Sequence, residues 1–252
     1  AKTLFPYTTL FRSMAGDMGK IKEIAALKSK YNFRLLIDDA HGFGYMGPTG
    51  AGADEAQGCQ EGIDLYFSSM VKSLGSLGGF ICGPKAVIKY LRYNVRSQIF
   101  AKSVPLLVVE GMLKRMDMIK TMPELREKLW SNVNKLQTGL KERGFDIGDT
   151  NSPVTPIYMK GDVPEATQMV MDLRENYGIF CSIVVYPVIP KGDIIYRLIP
   201  TASHCDADID KTLKAFEETK KKLETVNLDL ERNVSKRTEE LEQLKSDLEK
   251  MV

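Results

Sequence analysis

The sequence predicts an α/β fold that continues into a smaller α+β module and ends in a helical tail. Two short apolar segments, LLIDD and DLYFSS, end in polar residues, which is typical of buried parallel strands. Glycine-rich stretches follow both segments, and a third strand-like segment, GGFICG, comes after the second. After residue 153, strand-like segments occur together with a helical one, and this order is typical of an α+β module.

The helices of the α/β part are predicted from apolar residues at helical spacing and from the positions of proline and glycine. Pro105 suits the first turn of a helix, and Gly144 suits the end of one. On these grounds we expect helices at residues 20–31, 84–96, 105–121 and 123–143.

The α+β module is predicted from the segments PVTPIYM, CSIVVYPVI and DIIYRLIP, with a helix at residues 163–177 between the first two. From Asp206 onward the chain is predicted to be almost entirely helical. There, apolar residues recur at two heptad positions, as in a coiled coil, although Asn227 and Arg237 interrupt the seam. These residues are Leu223, Leu230, Leu244 and Met251 at one position and Val234, Leu241 and Leu248 at the other. A solvated amphipathic helix is the alternative interpretation.

Composition and charge exclude several classes of partner. The 252 residues are 43% apolar and 27% charged and carry a net charge of +2, so no nucleic-acid partner is expected. No apolar run is long enough for a transmembrane segment. The four cysteines lie far apart, which argues against a bound metal such as zinc. Since no secretion signal is recognised, we expect buried free thiols in a cytoplasmic protein.

The first glycine-rich stretch, IDDAHGFGYMGPTGAG, places Asp38, Asp39 and His41 at the end of a predicted strand. Ligands of α/β proteins bind beyond the carboxyl ends of the strands, so this is a suitable place for a functional site. A strand end followed by a helix cap would explain the same residues without a ligand. A metal site is a weaker alternative, because only two or three ligands lie within reach.

The second glycine-rich stretch, FSSMVKSLGSLGGF, places Lys72 just after another predicted strand, among serines and glycines. A lysine in a loop of small residues can form a Schiff base with a carbonyl compound, and the nearby hydroxyls and amides can bind a phosphate. An exposed surface lysine is the alternative interpretation. Together with the acid and the imidazole of the first stretch, Lys72 matches the requirements of pyridoxal 5′-phosphate.

The order DDAHGFG, then GPTGAG, then SSMVKSLGSLGG resembles the α-oxoamine synthase family, from about residue 13 to about residue 216. The resemblance implies the fold-type-I fold of aspartate aminotransferase, here as the second half of the large domain followed by the small C-terminal domain. It also implies pyridoxal 5′-phosphate as the cofactor, an amino acid and an acyl-CoA as substrates, and a homodimer.

The resemblance further implies roles for individual residues. Asp38 would pair with the pyridine nitrogen of the cofactor, and His41 would contact its 3-oxygen. Lys72 would form an aldimine with the cofactor and then act as acid and base at the substrate's α-carbon. Ser69 stands where the family has a threonine that contacts the phosphate. Arg197 would bind the substrate carboxylate, whereas a surface salt bridge would be expected without the resemblance.

Within the family, the segments GPTGAGADEAQG and RSQIFAKSVP most resemble bacterial serine palmitoyltransferases. Condensation of serine with palmitoyl-CoA to 3-ketosphinganine, a step of sphingolipid biosynthesis, is therefore the favoured activity. Glycine C-acetyltransferase and 8-amino-7-oxononanoate synthase are the near alternatives. An aminotransferase on the same fold and a non-enzymatic interaction module built on the C-terminal coil are the more distant ones.

Residues 3–13, TLFPYTTLFRS, match the translation of a common sequencing-adapter read. We therefore expect residues 1–13 to be a non-native segment and the enzyme's N-terminal half to be missing, which would leave apolar area exposed on the strand at residues 35–38. The other expected boundaries are 14–120 for the large-domain part, 121–218 for the small domain and 219–252 for the tail. We expect this polypeptide alone to be poorly folded or inactive.

Overall fold

The computed structural model describes residues 11–12, 16–101 and 103–249. At the beginning of this part, β1 (Phe11–Arg12) pairs antiparallel with β2 (Asp17–Met18). Residues 1–10 and 13, which make up most of the segment that we expect to be adapter-derived, lie outside the described residues. The origin of that segment therefore stays a prediction.

A sheet of three strands forms the centre of the first part of the chain. Its strands are β3 (Leu36–Asp38), β4 (Leu65–Ser69) and β5 (Gly79–Cys82). β4 lies in the middle, parallel to β3 and antiparallel to β5. The parallel pair predicted from the two apolar segments is confirmed. Since Asp38 stands opposite Phe67, the chain segments that follow β3 and β4 leave the sheet at the same edge.

The helices described in the first part differ from the prediction in three places. They are α1 (Ile21–Ala26), α2 (Ala53–Ala56), α3 (Lys85–Asn94), α4 (Arg96–Phe100) and α5 (Leu106–Thr121). The short helix α2 was not predicted. The first predicted helix gives way to a short 3-10 turn at Leu27–Ser29. The predicted helix 84–96 is divided at Val95, whose backbone is extended (φ −80°, ψ 114°). The predicted helix 105–121 is confirmed, with Pro105 immediately before its first residue.

A small apolar core lies on one side of β3. Ile21, Leu35, Ile37 and Ala53 are buried in it. Leu36 points to the opposite face, because side chains alternate along a strand, and it is 51% exposed. The expected exposure of apolar area on this strand is therefore confirmed.

The second part of the chain combines an antiparallel sheet with three helices. Its elements are α6 (Pro123–Glu142), β6 (Thr155–Lys160), α7 (Val163–Tyr177), β7 (Ser182–Val184), β8 (Asp193–Leu198) and α8 (Asp206–Glu249). β8 lies between β6 and β7. α7 has its predicted limits, because Asp162 and Glu165 form a capping box at its start and Gly178, with φ 66°, ends it. The predicted α+β module is confirmed.

One core joins the elements of this second part. Leu140 of α6, Ile157 of β6, Leu173 of α7, Tyr196 of β8 and Phe216 of α8 are each at most 2% exposed. Each element thus contributes a side chain that is removed from water, and burial of this kind is the main stabilising term of a fold.

α8 is the longest helix in the described part of the chain, with 44 residues. Ile209 near its start is buried and Leu223 is half-buried against the core, whereas Val234 and Leu241 are 64% and 67% exposed. The other predicted heptad residues lie outside the described side chains: Leu230, Leu244, Leu248 and Met251. The coiled coil therefore stays a prediction.

Among the helices described, none combines the length and apolar character needed to cross a membrane.

The four cysteines are free thiols. Cys181 is buried and Cys59 is half-buried, but Cys82 and Cys205 are exposed. The expectation that all four are buried is wrong for the last two, because Cys82 ends the outer strand β5 and Cys205 lies in the connection just before α8. In the described ranges, no cluster of three His, Cys, Asp or Glu side chains is placed to hold a metal ion.

Candidate active site

The turn after β3 carries two of the predicted site residues. Asp38 is the last residue of β3; it is exposed, and its Oδ1 accepts a hydrogen bond from the Ala40 amide at 3.0 Å. His41 follows in the turn and is half-buried. The Tyr45 hydroxyl donates a hydrogen bond to the His41 carbonyl oxygen, which closes the turn between these two residues.

Asp39 lies between them in sequence but is only 1% exposed. Its Oδ2 accepts hydrogen bonds from the Ala53 amide at 2.8 Å and from the Tyr66 hydroxyl at 2.7 Å. Its Oδ1 has no hydrogen-bond partner among the described residues. Asp39 thus fastens the end of the glycine-rich loop to β4, and this anchor fixes the backbone on either side of it, including Asp38 and His41.

Burial raises the pKa of Asp39 from 3.8 to about 6, although the hydrogen bonds from Ala53 and Tyr66 oppose the rise. The negative charges of Asp54 and Asp38 act in the same direction as burial. The folded protein therefore holds a proton on Asp39 more tightly than the unfolded chain does. Because of this difference, stability is lost as the pH rises from the unfolded-state pKa of 3.8 to the folded-state value of about 6.

We expect Asp39→Asn to remove this part of the pH dependence, since the amide does not ionise. The measurement is the free energy of unfolding in urea at about pH 4 and about pH 7, for the wild type and the variant. The wild type should lose more stability over this interval than the variant. Equal losses in both proteins would contradict the assignment of a raised pKa to Asp39.

A tight turn between β4 and β5 carries Lys72. The Met70 amide donates to the Gly78 carbonyl at 2.9 Å, and the Ser76 amide donates to the Met70 carbonyl at 2.9 Å, which closes the turn around the lysine. Lys72 is exposed, and its carbonyl oxygen accepts a hydrogen bond from the Gly75 amide at 3.0 Å. The backbone around Lys72 is therefore held in place while its side chain extends outward.

Ser69 is the last residue of β4 and is half-buried. Its Oγ accepts a hydrogen bond from the Val71 amide at 3.3 Å. This contact keeps the hydroxyl at the end of the strand, at the start of the turn that carries Lys72.

Arg197 lies on β8, the central strand of the second sheet, opposite Pro156 on β6 and Ser182 on β7. Burial lowers the pKa of its guanidinium, which nevertheless stays charged at neutral pH. Its Nε is buried and has no hydrogen-bond partner in the described part of the chain. An unpaired buried donor is costly, so this nitrogen is well placed to bind an anion. Among the described residues, Arg197 forms no salt bridge, so the surface salt bridge that was the alternative interpretation is not found there.

One cavity of about 630 Å³ brings His41, Lys72 and Arg197 together. Asp38 and Ser69 are not among the residues that line it; each lies three positions before a lining residue, His41 and Lys72 respectively. α5, α6 and the residue between them supply an apolar wall: Met118, Ile119, Met122, Leu125 and Leu129. No aspartate or glutamate occurs among the described lining residues, whereas Arg115 and Arg126 add two further cations.

Burial lowers the pKa of His41 from 6.5 to about 4, and the positive charges of Lys72 and Arg197 act in the same direction, against the charge of Asp38. The imidazole is therefore neutral at pH 7, with one ring nitrogen as a donor and the other as an acceptor. It can hydrogen-bond a ligand without adding a charge to the cavity.

Two side chains of α6 connect the second part of the chain to the glycine-rich loop. Arg126 donates hydrogen bonds to the Pro48 carbonyl at 2.7 Å and to the Thr49 carbonyl at 3.2 Å. Trp130 Nε1 donates to the Tyr45 carbonyl at 2.9 Å. These residues could not be found from the sequence, because their partners lie 77 to 85 positions away. The only signal in the sequence was that Arg126 and Trp130 are four residues apart, which places them on the same face of α6.

Comparison with known proteins identifies close relatives. A cysteate-C-fatty acyltransferase of Capnocytophaga ochracea is 61% identical over 212 residues, which are 84% of this chain and 50% of the relative. A serine palmitoyltransferase of Sphingobacterium spiritivorum is 35% identical over 216 residues, which are 86% of this chain and 54% of the relative. The chain therefore spans about half the length of the curated relatives it matches.

Solved structures confirm the fold-type-I fold that the sequence predicts. A structure of SPT with the PLP internal aldimine has a TM-score of 0.79 and 32% identity, covering 83% of this chain and 53% of that chain. The cofactor of this family is pyridoxal 5′-phosphate, as the sequence motifs indicate. Residues 10–216 also match the family model described as aminotransferase class I and II. The chain therefore belongs to the aminotransferase class I and II family and, within it, to the α-oxoamine synthases.

Proposed function

We propose that this chain forms the lysine-bearing part of an acyltransferase that condenses an amino acid with a fatty acyl-CoA and uses pyridoxal 5′-phosphate. The observation that carries the proposal is that one cavity is lined by an amine, a neutral imidazole and a guanidinium: those of Lys72, His41 and Arg197. Because the chain spans about half the length of its relatives, the proposed activity is that of the intact enzyme.

The residues present fit the cofactor. A cavity lined by several cations and by no described aspartate or glutamate suits a phosphorylated ligand. Lys72 would hold the cofactor covalently through its amine, Asp38 would pair with the ring nitrogen, His41 with the 3-oxygen and Ser69 with the phosphate. When bound, the cofactor supplies an electron sink for the charge that develops at the substrate's α-carbon.

The chain's own residues would position the amino acid and move its proton. Arg197 binds the carboxylate, since its Nε has no other partner in the described part of the chain. The Lys72 amine accepts the proton from the α-carbon and later returns one. The apolar wall of α5 and α6 receives the acyl chain and excludes water from the reacting atoms.

We propose cysteate as the amino acid, in place of the serine that the sequence motifs favour. The support is the 61% identity to a cysteate-C-fatty acyltransferase, against 35% to a serine palmitoyltransferase. Cysteate carries a sulfonate where serine carries a hydroxyl, and a cavity rich in cations suits the additional negative charge. Serine is the second candidate, because several relatives at 35% to 36% identity are serine palmitoyltransferases.

We further propose that the intact enzyme is a cytoplasmic homodimer and that the large-domain part, the small domain and the tail occupy residues 14–120, 121–218 and 219–252. The support for the boundary at 120 is that the two buried apolar clusters do not share residues. One draws on residues 21–53 and the other on residues 136–216.

The test of the proposed function uses NMR to measure how fast the amino acid's α-proton is replaced by deuterium from the solvent. The chain is joined to the N-terminal half of the Capnocytophaga ochracea relative and supplied with the cofactor. We expect exchange with L-cysteate, and a decrease of at least about 100-fold in Asp38→Ala, because the ring nitrogen loses its charged partner. Glu61→Ala, which removes an exposed carboxylate outside the cavity, should leave the exchange unchanged.

The same preparation distinguishes the acyltransferase from the aminotransferase alternative. We expect palmitoyl-CoA to release free coenzyme A in the presence of the amino acid. Transamination of a keto acid without release of coenzyme A would contradict the proposed function.

A further inference from the structure

One face of α5 lines the cavity and includes a cation that has no role in the proposed reaction. Arg115, Met118 and Ile119 are spaced at i, i+3 and i+4, so they lie on the same side of the helix; all three line the cavity, as does Met122 immediately after the helix. Arg115 is the charged member at the N-terminal end of this apolar stripe. Its position is therefore set by the helix and not by a loop.

The guanidinium of Arg115 differs from that of Arg126, which also lines the cavity. Among the described residues it makes no ion pair and no hydrogen bond, whereas Arg126 donates to the carbonyls of Pro48 and Thr49. The neighbouring Lys114 is paired with Asp117 at 3.0 Å. Arg115 thus presents an unneutralised charge to a cavity in which no described lining residue is acidic.

The stripe lies beside the turn that carries Lys72. A Cβ placed on Gly44 would be 2.6 Å from Ser73 Cβ and 3.4 Å from Ile119 Cδ1, so Gly44 has both Ile119 and Ser73, the residue next to Lys72, as close neighbours. Arg115 lies one helical turn, about 6 Å of axial rise, from Ile119. A small molecule held at Lys72 is therefore within reach of a long side chain at position 115.

We propose that Arg115 binds a sulfonate on the side chain of the amino acid substrate while Arg197 binds its carboxylate. This inference rests on the proposed function and extends it to the substrate class, an amino acid with two acidic groups. A guanidinium offers two parallel donors to two oxygens of one anionic group, so it suits a sulfonate as well as a carboxylate. An amino acid with an uncharged side chain would leave Arg115 without a partner.

The test measures binding of L-cysteate and L-serine by titration calorimetry to the chain joined to the N-terminal half of its Capnocytophaga ochracea relative and saturated with pyridoxal 5′-phosphate. We expect Arg115→Met to weaken L-cysteate binding about 10- to 100-fold, because one charged hydrogen-bonded contact is lost, and to leave L-serine binding unchanged. Arg115→Lys should restore part of the loss. Lys114→Met, which removes a charge from the same helix outside the cavity, is the matched control and should behave as the wild type.

Two results would overturn the inference. One is equal weakening of both amino acids, or of neither, in Arg115→Met. The other is weaker binding of free coenzyme A in this variant with L-cysteate unchanged, which would assign Arg115 to the phosphates of the acyl carrier. Arg197→Ala separates this inference from the proposed function, because it should weaken both amino acids. If it weakens neither, the proposed carboxylate site is wrong as well and the inference fails with it.

Discussion

Replacing Lys72 with alanine is expected to abolish covalent attachment of pyridoxal 5′-phosphate to the chain. Lys72 is the only lysine among the described residues that line the cavity, and its backbone is fixed by the hydrogen bonds of the turn between β4 and β5. Covalent attachment needs an amine that reaches the cofactor's aldehyde, and alanine offers none. The expected effect is therefore complete loss and not a graded one.

The measurement for Lys72→Ala is mass spectrometry after reduction with borohydride, which fixes any attached cofactor to its lysine. The wild type should gain the mass of one reduced cofactor, and peptide mapping should place it at Lys72. Lys89→Ala removes an exposed lysine of α3 outside the cavity and should label as the wild type does. Full labelling of Lys72→Ala would show that another amine holds the cofactor, and the proposed site would be wrong.

The second large effect is expected on stability, from Gly52→Ala. Gly52 has φ +135° and ψ −170°, a conformation that is essentially restricted to glycine. A Cβ there would also overlap Asp39 Oδ2 and lie 2.5 Å from the Tyr66 hydroxyl. Backbone strain and overpacking together predict a loss of about 3 kcal/mol in the free energy of unfolding.

Urea unfolding measures this loss, and Gly58→Ala provides the control. Gly58 also has a positive φ, +60°, but a Cβ at this position would have no atom within 4 Å. Only the cost of the left-handed backbone, about 1 kcal/mol, is therefore expected there. If both variants lost the same free energy, contact with the Asp39 anchor would not be the source of the effect at Gly52.

Local signals in the sequence were sufficient for most elements of the fold. The limits of α7 follow from Asp162 and Glu165 at its start and Gly178 at its end, because capping depends on residues that are near in sequence. The predicted helix 84–96 is divided instead, because the backbone at Val95 is extended. Apolar spacing continues through this position, so periodicity alone could not indicate the break.

The sequence predicted those residues of the candidate site that follow the ends of strands. Lys72 and His41 could be named because polar residues after neighbouring strands of a sheet meet at one edge. Arg197, named from the family resemblance, lines the same cavity. Asp38 and Ser69, also named, lie at the strand ends but do not line the cavity, and their contacts with the cofactor stay predictions.

The sequence by itself predicted most of the strands and helices, the lysine, aspartate and histidine that could serve a cofactor and, through the family resemblance, the arginine. These features depend on spacing along the chain. Tertiary structure alone decided that Asp39 is a buried anchor, that Arg126 holds a loop and that Arg115 faces the cavity unpaired. The reason is physical: desolvation and hydrogen bonding depend on distances in space, and the partners of Asp39 and Arg126 lie up to 78 residues away along the chain.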